Sequence, residues 1–488
     1  MGGLLSKLYQ ETGLSTVVQA STDVHLLFFQ RFVRMFAYGQ VTIILALFFA
    51  VIGVSETMTG LFMTATLLGD VVISFFLTLL ADSIGRRKIL SIGCVCMFLS
   101  GVVFTHATKY WLLLVAAIIG VISPNGNEIG PFRAVEESTL AQLTDLKDRS
   151  DLYAWYSLLG NFGTALGTIS SGLIVQNLRD VHGWSSLNCY KIIFLVYSVV
   201  ALLKLGATLM LSEKVEFQAI SSSDTEQSAM ISESGVPRKN SATDSHQMSS
   251  MRKERVSDEI DENDVNETNE ILAEMDVLTE PKRRSKWLAW IEYFPRWSTR
   301  TKLIVLRLII LFGIDSFASG LASQSWISYY FFFRFDIEEG EIGQLLFNTN
   351  MVAAASALVA SSISRRLGPV TTMVATHLPS SIILACLGYP KQKRVAMAML
   401  IIRYCTASMD VGPRQAFLSS VVARDERTGV MGVVNVVRTL ASAGGPVLMG
   451  GFADLRLMPI GFLVAGSMKV VYDLGILASF TKTQLYNN

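Results

Sequence analysis

Twelve apolar stretches occupy most of this chain, each long enough to cross about 30 Å of hydrocarbon as a helix. They run approximately 26–51, 57–80, 88–107, 111–142, 152–176 and 190–211, then 303–331, 341–363, 369–388, 395–421, 428–452 and 458–480. Six lie on each side of one polar segment, and the fourth and tenth, the longest, contain helix breakers. A water-soluble fold is excluded by composition, since 51% of the 488 residues are hydrophobic, 17% are charged and the mean hydropathy is +0.43. The bilayer is therefore the expected partner of the surface, and the expected fold class is an all-α membrane protein of twelve transmembrane helices. About 25 polar or mixed residues precede the first stretch and no small-residue cleavage site follows it, so it reads as a retained span rather than a signal peptide.

Residues 213–300 are rich in Ser, Glu, Asp, Lys and Arg and lack the apolar surface to offset the entropy of folding. The expected layout is a tail at 1–25, a six-helix half at 26–212, a disordered linker at 213–300, a second half at 301–481 and a tail at 482–488. From Lys282 to Arg300, base clusters with Trp287, Trp290 and Trp297 suit either a headgroup-level amphipathic helix or a plain loop. Arg86, Arg87, Lys88, Lys147, Arg149, Arg365, Arg366, Arg424 and Arg427 fall on the linker's side, which by the positive-inside rule makes linker and termini cytoplasmic. The loop with Lys391, Lys393 and Arg394 dissents. In that orientation the Asn266-Glu267-Thr268 sequon is not glycosylated, while Ser241 and Ser285 are phosphorylation candidates. Plasma and organellar membranes both fit. The 41 Lys plus Arg nearly balance the 40 Asp plus Glu, so charge gives no reason to expect nucleic acid as a partner. Cys94, Cys96, Cys189, Cys386 and Cys405 read as buried thiols without metal-ligand spacing, and no metal or cofactor is expected.

The halves repeat each other. Offsets of 281 to 283 residues place Gly39 on Gly320, Gly60 on Gly343, Gly85 on Gly368 and Gly130-Pro131 on Gly412-Pro413. An offset of 278 places Arg149 on Arg427, Gly167 on Gly445 and Gly172 on Gly450. With two such halves, a long middle loop and DSIGRRK at 82–88, the chain resembles the major facilitator superfamily. The resemblance implies a transporter fold in which Asp82, Gly85, Arg86 and Arg87 take the family's gating places; the second copy, SRRLGPV at 364–370, lacks the acid. Sugar-porter signatures are absent and the antiporter motif is only partly kept at Gly163, Gly167 and Gly172, so no subfamily is implied. These glycines read as points of close helix approach.

Charges in hydrocarbon are costly, and those that persist usually face a bundle interior or a water path. Arg34 and Asp315 occupy equivalent positions, five residues before Gly39 and Gly320, and their opposite signs invite pairing across the halves or binding of a zwitterion. Glu128 and Asp410 each stand two residues before a Gly-Pro, where Pro124, Gly126, Gly130 and Pro131 should break the fourth helix in mid-membrane. Asn125 and Asn127 add polar groups there, and Glu128, Asp410 and Asp70 are the candidate proton-coupling acids. Arg133 and Glu137, four residues apart, and Glu136 beside them are assigned to gating. Arg403 and Arg438 are candidates for holding a carboxylate or phosphate, with pairing to Asp410 the competing use of Arg403. Lys204, Lys469 and Asp473 read as an internal structural group, and the aromatic run 323–335 as an interfacial belt or an extracellular lid.

The sequence therefore reads as a non-enzymatic secondary carrier of a small polar or charged solute, proton-coupled, working as a monomer by alternating access. A nutrient sensor that signals through the linker is the rival reading.

Overall fold

Hydrocarbon leaves a backbone no partner but itself, so the apolar stretches must be helices. A computed structural model describes residues 14–120, 122, 131–145, 148–216, 299–422 and 426–480, and among them all regular structure is helical. After a short leading helix (Leu14–Gln19) come span one (Thr22–Val51), two (Glu56–Ile84), three (Arg86–His106), four (Tyr110–Gly120 and Pro131–Gln142), five (Arg149–Asp180) and six (Ser186–Leu209). The second half supplies span seven (Thr299–Leu321 and Gln324–Phe335), eight (Glu339–Leu367), nine (Pro369–Cys386), ten (Lys393–Ser408 and Val411–Val421), eleven (Arg427–Asp454) and twelve (Met458–Phe480). Among the described residues ten of these have the length and apolarity to cross a membrane; the others are span four, described in two pieces, and the more polar span eight. The linker between 217 and 298 and the ends at 1–13 and 481–488 lie outside the described residues.

Local chemistry sets the breaks. Span four is described over Tyr110–Gly120 and Pro131–Gln142; residues 121 and 123–130, with Asn125, Asn127, Glu128 and the break expected there, lie outside the described residues. Span ten is interrupted at Met409 and Asp410, just ahead of Pro413, which has no N–H for the Met409 carbonyl. Span seven turns at Ser323, whose hydroxyl accepts the Trp326 N–H. Gly85 and Gly368 both end a span at positive φ, 106° and 81°, so the matched glycines make the same left-handed turn into spans three and nine.

The repeated glycines build the contact between the halves. A Cβ on Gly60 would strike the backbone of Pro446 and Val447, and one on Gly450 the backbone of Glu56. Spans two and eleven therefore touch backbone to backbone. Gly172 and Gly343 do the same for spans five and eight. Because Gly60 matches Gly343 and Gly172 matches Gly450, the two contacts are copies of one another.

These contacts lie at the end away from the linker. There one apolar core draws on both halves, including Phe48, Phe49 and Phe62 from the first and Trp326, Phe331 and Phe462 from the second. Toward the linker the core splits in two, around Leu27, Phe132 and Leu152 in one half and Leu308, Phe417 and Val430 in the other. Outward-facing side chains such as Phe75, Phe76, Leu99, Leu202, Leu306 and Val471 are exposed and suit lipid.

Two expectations are corrected. The aromatic end of span seven is no interfacial belt: Trp326, Tyr329, Tyr330 and Phe331 are buried between helices, with Trp326 Nε1 donating to the Pro446 carbonyl and the Tyr329 hydroxyl to Glu56. Burial follows from hydroxyls and indole that each find a partner inside. Of the cysteines, only Cys94 and Cys189 are buried; Cys96 and Cys405 are half-buried, and Cys386 is exposed at the end of its helix.

Gly445→Val, pressed against the Gly320 backbone, should lower stability by about 1–3 kcal/mol, whereas Gly451→Ala, which faces open space, should melt like the wild type. Thermal unfolding of purified protein in detergent measures both.

Candidate substrate and coupling site

Each half encloses a charged cluster. In the first, Arg34 of span one donates to both oxygens of Glu136 in span four, at 2.5 and 2.8 Å, and neither side chain is exposed. Lys204 of span six lies 3.3 Å from the same carboxylate and 3.4 Å from the centre of the Phe132 ring. The Tyr156 hydroxyl of span five donates to Glu136 at 2.6 Å, and Arg31 stacks over the Tyr156 ring at 4.8 Å. One carboxylate thus serves two buried cations and a phenol, the arrangement that makes burial of charge tolerable.

In the second half a carboxylate is again the centre, but it stands on span seven, at the position equivalent to Arg34. Asp315 of span seven takes Lys469 Nζ of span twelve at 2.5 Å, with Arg414 of span ten at 3.6 Å and His377 Nε2 of span nine at 3.9 Å. Arg414 also reaches Asp410, four residues earlier, at 3.5 Å. His377 Nδ1 sits 2.8 Å from Asp473, whose other oxygen accepts the Ser381 hydroxyl at 2.9 Å. Arg438 of span eleven lies over Phe312 at 5.6 Å, within electrostatic reach of Asp315, Asp410 and Arg414. Spans one, four and six carry the first cluster and the equivalent spans seven, ten and twelve the second.

Arg34 and Asp315 are therefore not partners: each is neutralised within its own half, because a cation or acid of that half lies closer. Glu136, assigned from sequence to gating, is the centre of the first cluster instead. Arg133 and Glu137 pair at 2.7 Å on a partly exposed helix face. Arg403 does not take Asp410, which pairs with Arg414; its guanidinium lies over Tyr404 at 5.1 Å. Asp70 is buried and accepts the Ser74 hydroxyl at 3.3 Å. Arg403 Nε, Arg438 Nε and Asp410 Oδ2 are buried without a hydrogen-bond partner among the described residues. Sequence reasoning passed over Tyr156, His377 and Arg414. The last had a legible signal, a base four residues after Asp410 on one helix.

At the linker end, the turn at Gly85 is closed by Glu216. Its carboxylate accepts the backbone N–H groups of Arg86 and Arg87 at 2.6 and 3.3 Å, so an acid caps the start of span three. The Arg86 side chain donates to Gln142 of span four at 2.8 Å, and Gln142 donates to the carbonyls of Lys214 and Glu216. Arg87 donates to the Leu209 carbonyl at 3.1 Å. The Asp82 side chain lies outside the described residues.

The sequence profile of the Major Facilitator Superfamily matches residues 27–446. The chain belongs to the major facilitator superfamily. It is 34% identical over 463 residues to "Uncharacterized membrane protein YJR124C" of Saccharomyces cerevisiae, covering 94% of each chain. Among solved structures it is similar to the inward-open xylose transporter XylE from E. coli, with a TM-score of 0.61, 14% identity and coverage of 94% and 97%. A bacterial homologue of the human lysosomal transporter Spinster, inward-facing and occupied, gives a TM-score of 0.63 at 11% identity, covering 93% and 95%. The chain is thus a multi-pass membrane protein with the transporter fold.

Glu136→Gln would leave two buried cations around a neutral amide and should cost about 3–5 kcal/mol, while Arg133→Ala on the partly exposed face should stay within about 1 kcal/mol; unfolding in detergent compares them. Glu216→Ala should speed hydrogen exchange of the Arg86 and Arg87 amides and cost about 1 kcal/mol through loss of the cap.

Proposed function

We propose that this protein is a proton-coupled secondary carrier of a small polar or charged solute, working as a monomer by alternating access. The observation that carries the reading is that three buried charged atoms of spans ten and eleven, Arg403 Nε, Arg438 Nε and Asp410 Oδ2, have no hydrogen-bond partner among the described residues. A buried polar atom without a partner is costly, and a solute that supplies the missing hydrogen bonds recovers that cost on binding. Guanidinium groups suit a carboxylate or phosphate. We assign proton uptake to Asp410, whose Oδ2 is buried without a hydrogen-bond partner among the described residues, and to Glu128, its equivalent in the first half.

Alternating access is supported by where the halves touch. Among the described residues, hydrogen bonds between halves involve Thr42, Glu56, Thr57, Thr64, Gln176, Arg179 and Tyr190 of the first, all toward the end away from the linker. With the linker and termini cytoplasmic, as the positive-inside rule directs, this is an inward-facing arrangement. The conformations of XylE and the Spinster homologue are in keeping with it.

A metabolite screen by thermal shift on purified protein, followed by flux in proteoliposomes under an imposed pH gradient, tests the reading. Arg438→Gln should abolish the ligand-induced shift, and Glu128→Gln or Asp410→Asn should uncouple flux from the gradient. Full gradient-driven flux in both acid variants refutes the coupling assignment.

A further inference from the structure

We propose that His377 is a proton-binding site of the second half, outside the central spans, and that its protonation is read by Asp315. This deepens the proposed proton coupling by naming a residue other than Glu128, Asp410 and Asp70. The site is built from four spans. Asp473 of span twelve is held on both oxygens, by His377 Nδ1 at 2.8 Å and by the Ser381 hydroxyl at 2.9 Å. A carboxylate so held accepts, so Nδ1 carries its hydrogen and the other ring nitrogen is left to change state. That nitrogen, Nε2, faces Asp315 Oδ1 at 3.9 Å, just beyond a direct hydrogen bond.

The two states of Nε2 differ in sign at Asp315. Unprotonated, the ring turns a lone pair toward a carboxylate. Protonated, it offers an N–H and a positive charge to the same oxygen that Lys469 holds at 2.5 Å. Asp315 Oδ2 is meanwhile 3.6 Å from Arg414, which reaches Asp410 at 3.5 Å. A proton on His377 therefore competes for Asp315 and loosens its hold on Arg414, leaving Arg414 to Asp410. An ion chain thus runs from span nine to the broken span ten, the place where a solute is proposed to bind. The proton comes from the aqueous phase onto Nε2 and returns there; no other bond changes.

The charged and titratable groups facing this ring are Asp473, Lys469 and Tyr472 from span twelve, Asp315 from span seven and Arg414 from span ten, with Arg438 of span eleven acting on the same carboxylates. Three acids, Asp315, Asp410 and Asp473, meet three permanent cations, Lys469, Arg414 and Arg438. The cluster is balanced with His377 neutral and gains one positive charge when it is protonated. Proton uptake and the binding of an anionic group then favour each other, reciprocally.

The chain has five histidines, so 15N-histidine labelling in nanodiscs gives few resonances, and His377→Gln identifies the one that matters. Should that variant not fold, Ser381→Ala, which removes a hydroxyl that donates to Asp473 at 2.9 Å and lies 3.4 Å from His377 Nδ1, makes the assignment by shifting that one resonance. The His377 Nε2 resonance is expected to pass from the unprotonated to the protonated form as the sample is acidified. Its curve should be displaced in Asp473→Asn and in Asp315→Asn but unchanged in Arg133→Ala. A His377 ring that stays in one form on acidification, or titrates indifferently to both carboxylates, overturns the proposal. Flux under a pH gradient separates this from the wider reading. Gradient-driven flux with a fixed His377 refutes the site and keeps the coupling; a titrating His377 with gradient-blind flux keeps the site and refutes the coupling.

Discussion

A guanidinium sealed inside a membrane-embedded bundle needs a carboxylate sealed in with it, and the contact of Arg34 with Glu136 meets that demand. Because both side chains are wholly buried, the pair fixes span one against the Pro131–Gln142 helix of span four. Lys204 brings span six to the same carboxylate, and Tyr156 brings span five. One acid thereby sets the positions of four helices. Asp315 has the corresponding role in the second half, where Lys469 and Arg414 draw spans twelve and ten toward span seven.

The sign inversion between Arg34 and Asp315 follows from what duplication preserves. A repeated helix keeps its geometry, so a buried polar position in one half can return as a buried polar position in the other; the sign can change if its partners change with it. Arg34 is equivalent to Asp315, while the place of the hub Glu136 is taken on span ten by Leu418, and Arg414, at the place of Phe132, supplies the cation there. The small residues tolerated no such exchange. Gly60 and Gly343, and Gly172 and Gly450, meet backbone atoms that cannot move aside, so both copies remain glycine.

This difference explains what the sequence made legible. The described helix boundaries, the break in span ten and the glycine contacts all depend on hydropathy, proline or missing side chains, which are properties of single positions. The ion pairs depend on helix rotation and on which spans adjoin, and single positions do not carry that. Arg34 and Asp315 were rightly picked out as buried charges but were matched across the pseudo-two-fold, whereas each had a nearer partner in its own half. His377 was passed over because a lone histidine in an apolar run has no pattern; only the approach of spans seven and twelve gives it two carboxylates.

Confinement of the buried ion pairs to single halves also bears on the proposed cycle. Separating a buried pair leaves each charge in a low-dielectric interior, a cost of several kcal/mol that a carrier would meet on every turn. Here rocking of the halves would leave Arg34 with Glu136 and Asp315 with Lys469. The bonds it would break lie at the far end: Asp454 with the Glu56 and Thr57 amides, and Gln176 with Glu338, are exposed, where water replaces a lost partner. Others are less exposed: the Ser325 hydroxyl donates to the Thr42 carbonyl in a buried contact, and Arg179 pairs with Glu339, which is wholly buried and also holds the Tyr190 hydroxyl. In the proposed cycle, opening that end would expose Glu339 to water and free both partners, so this acid is where separating the halves would break a buried ion pair.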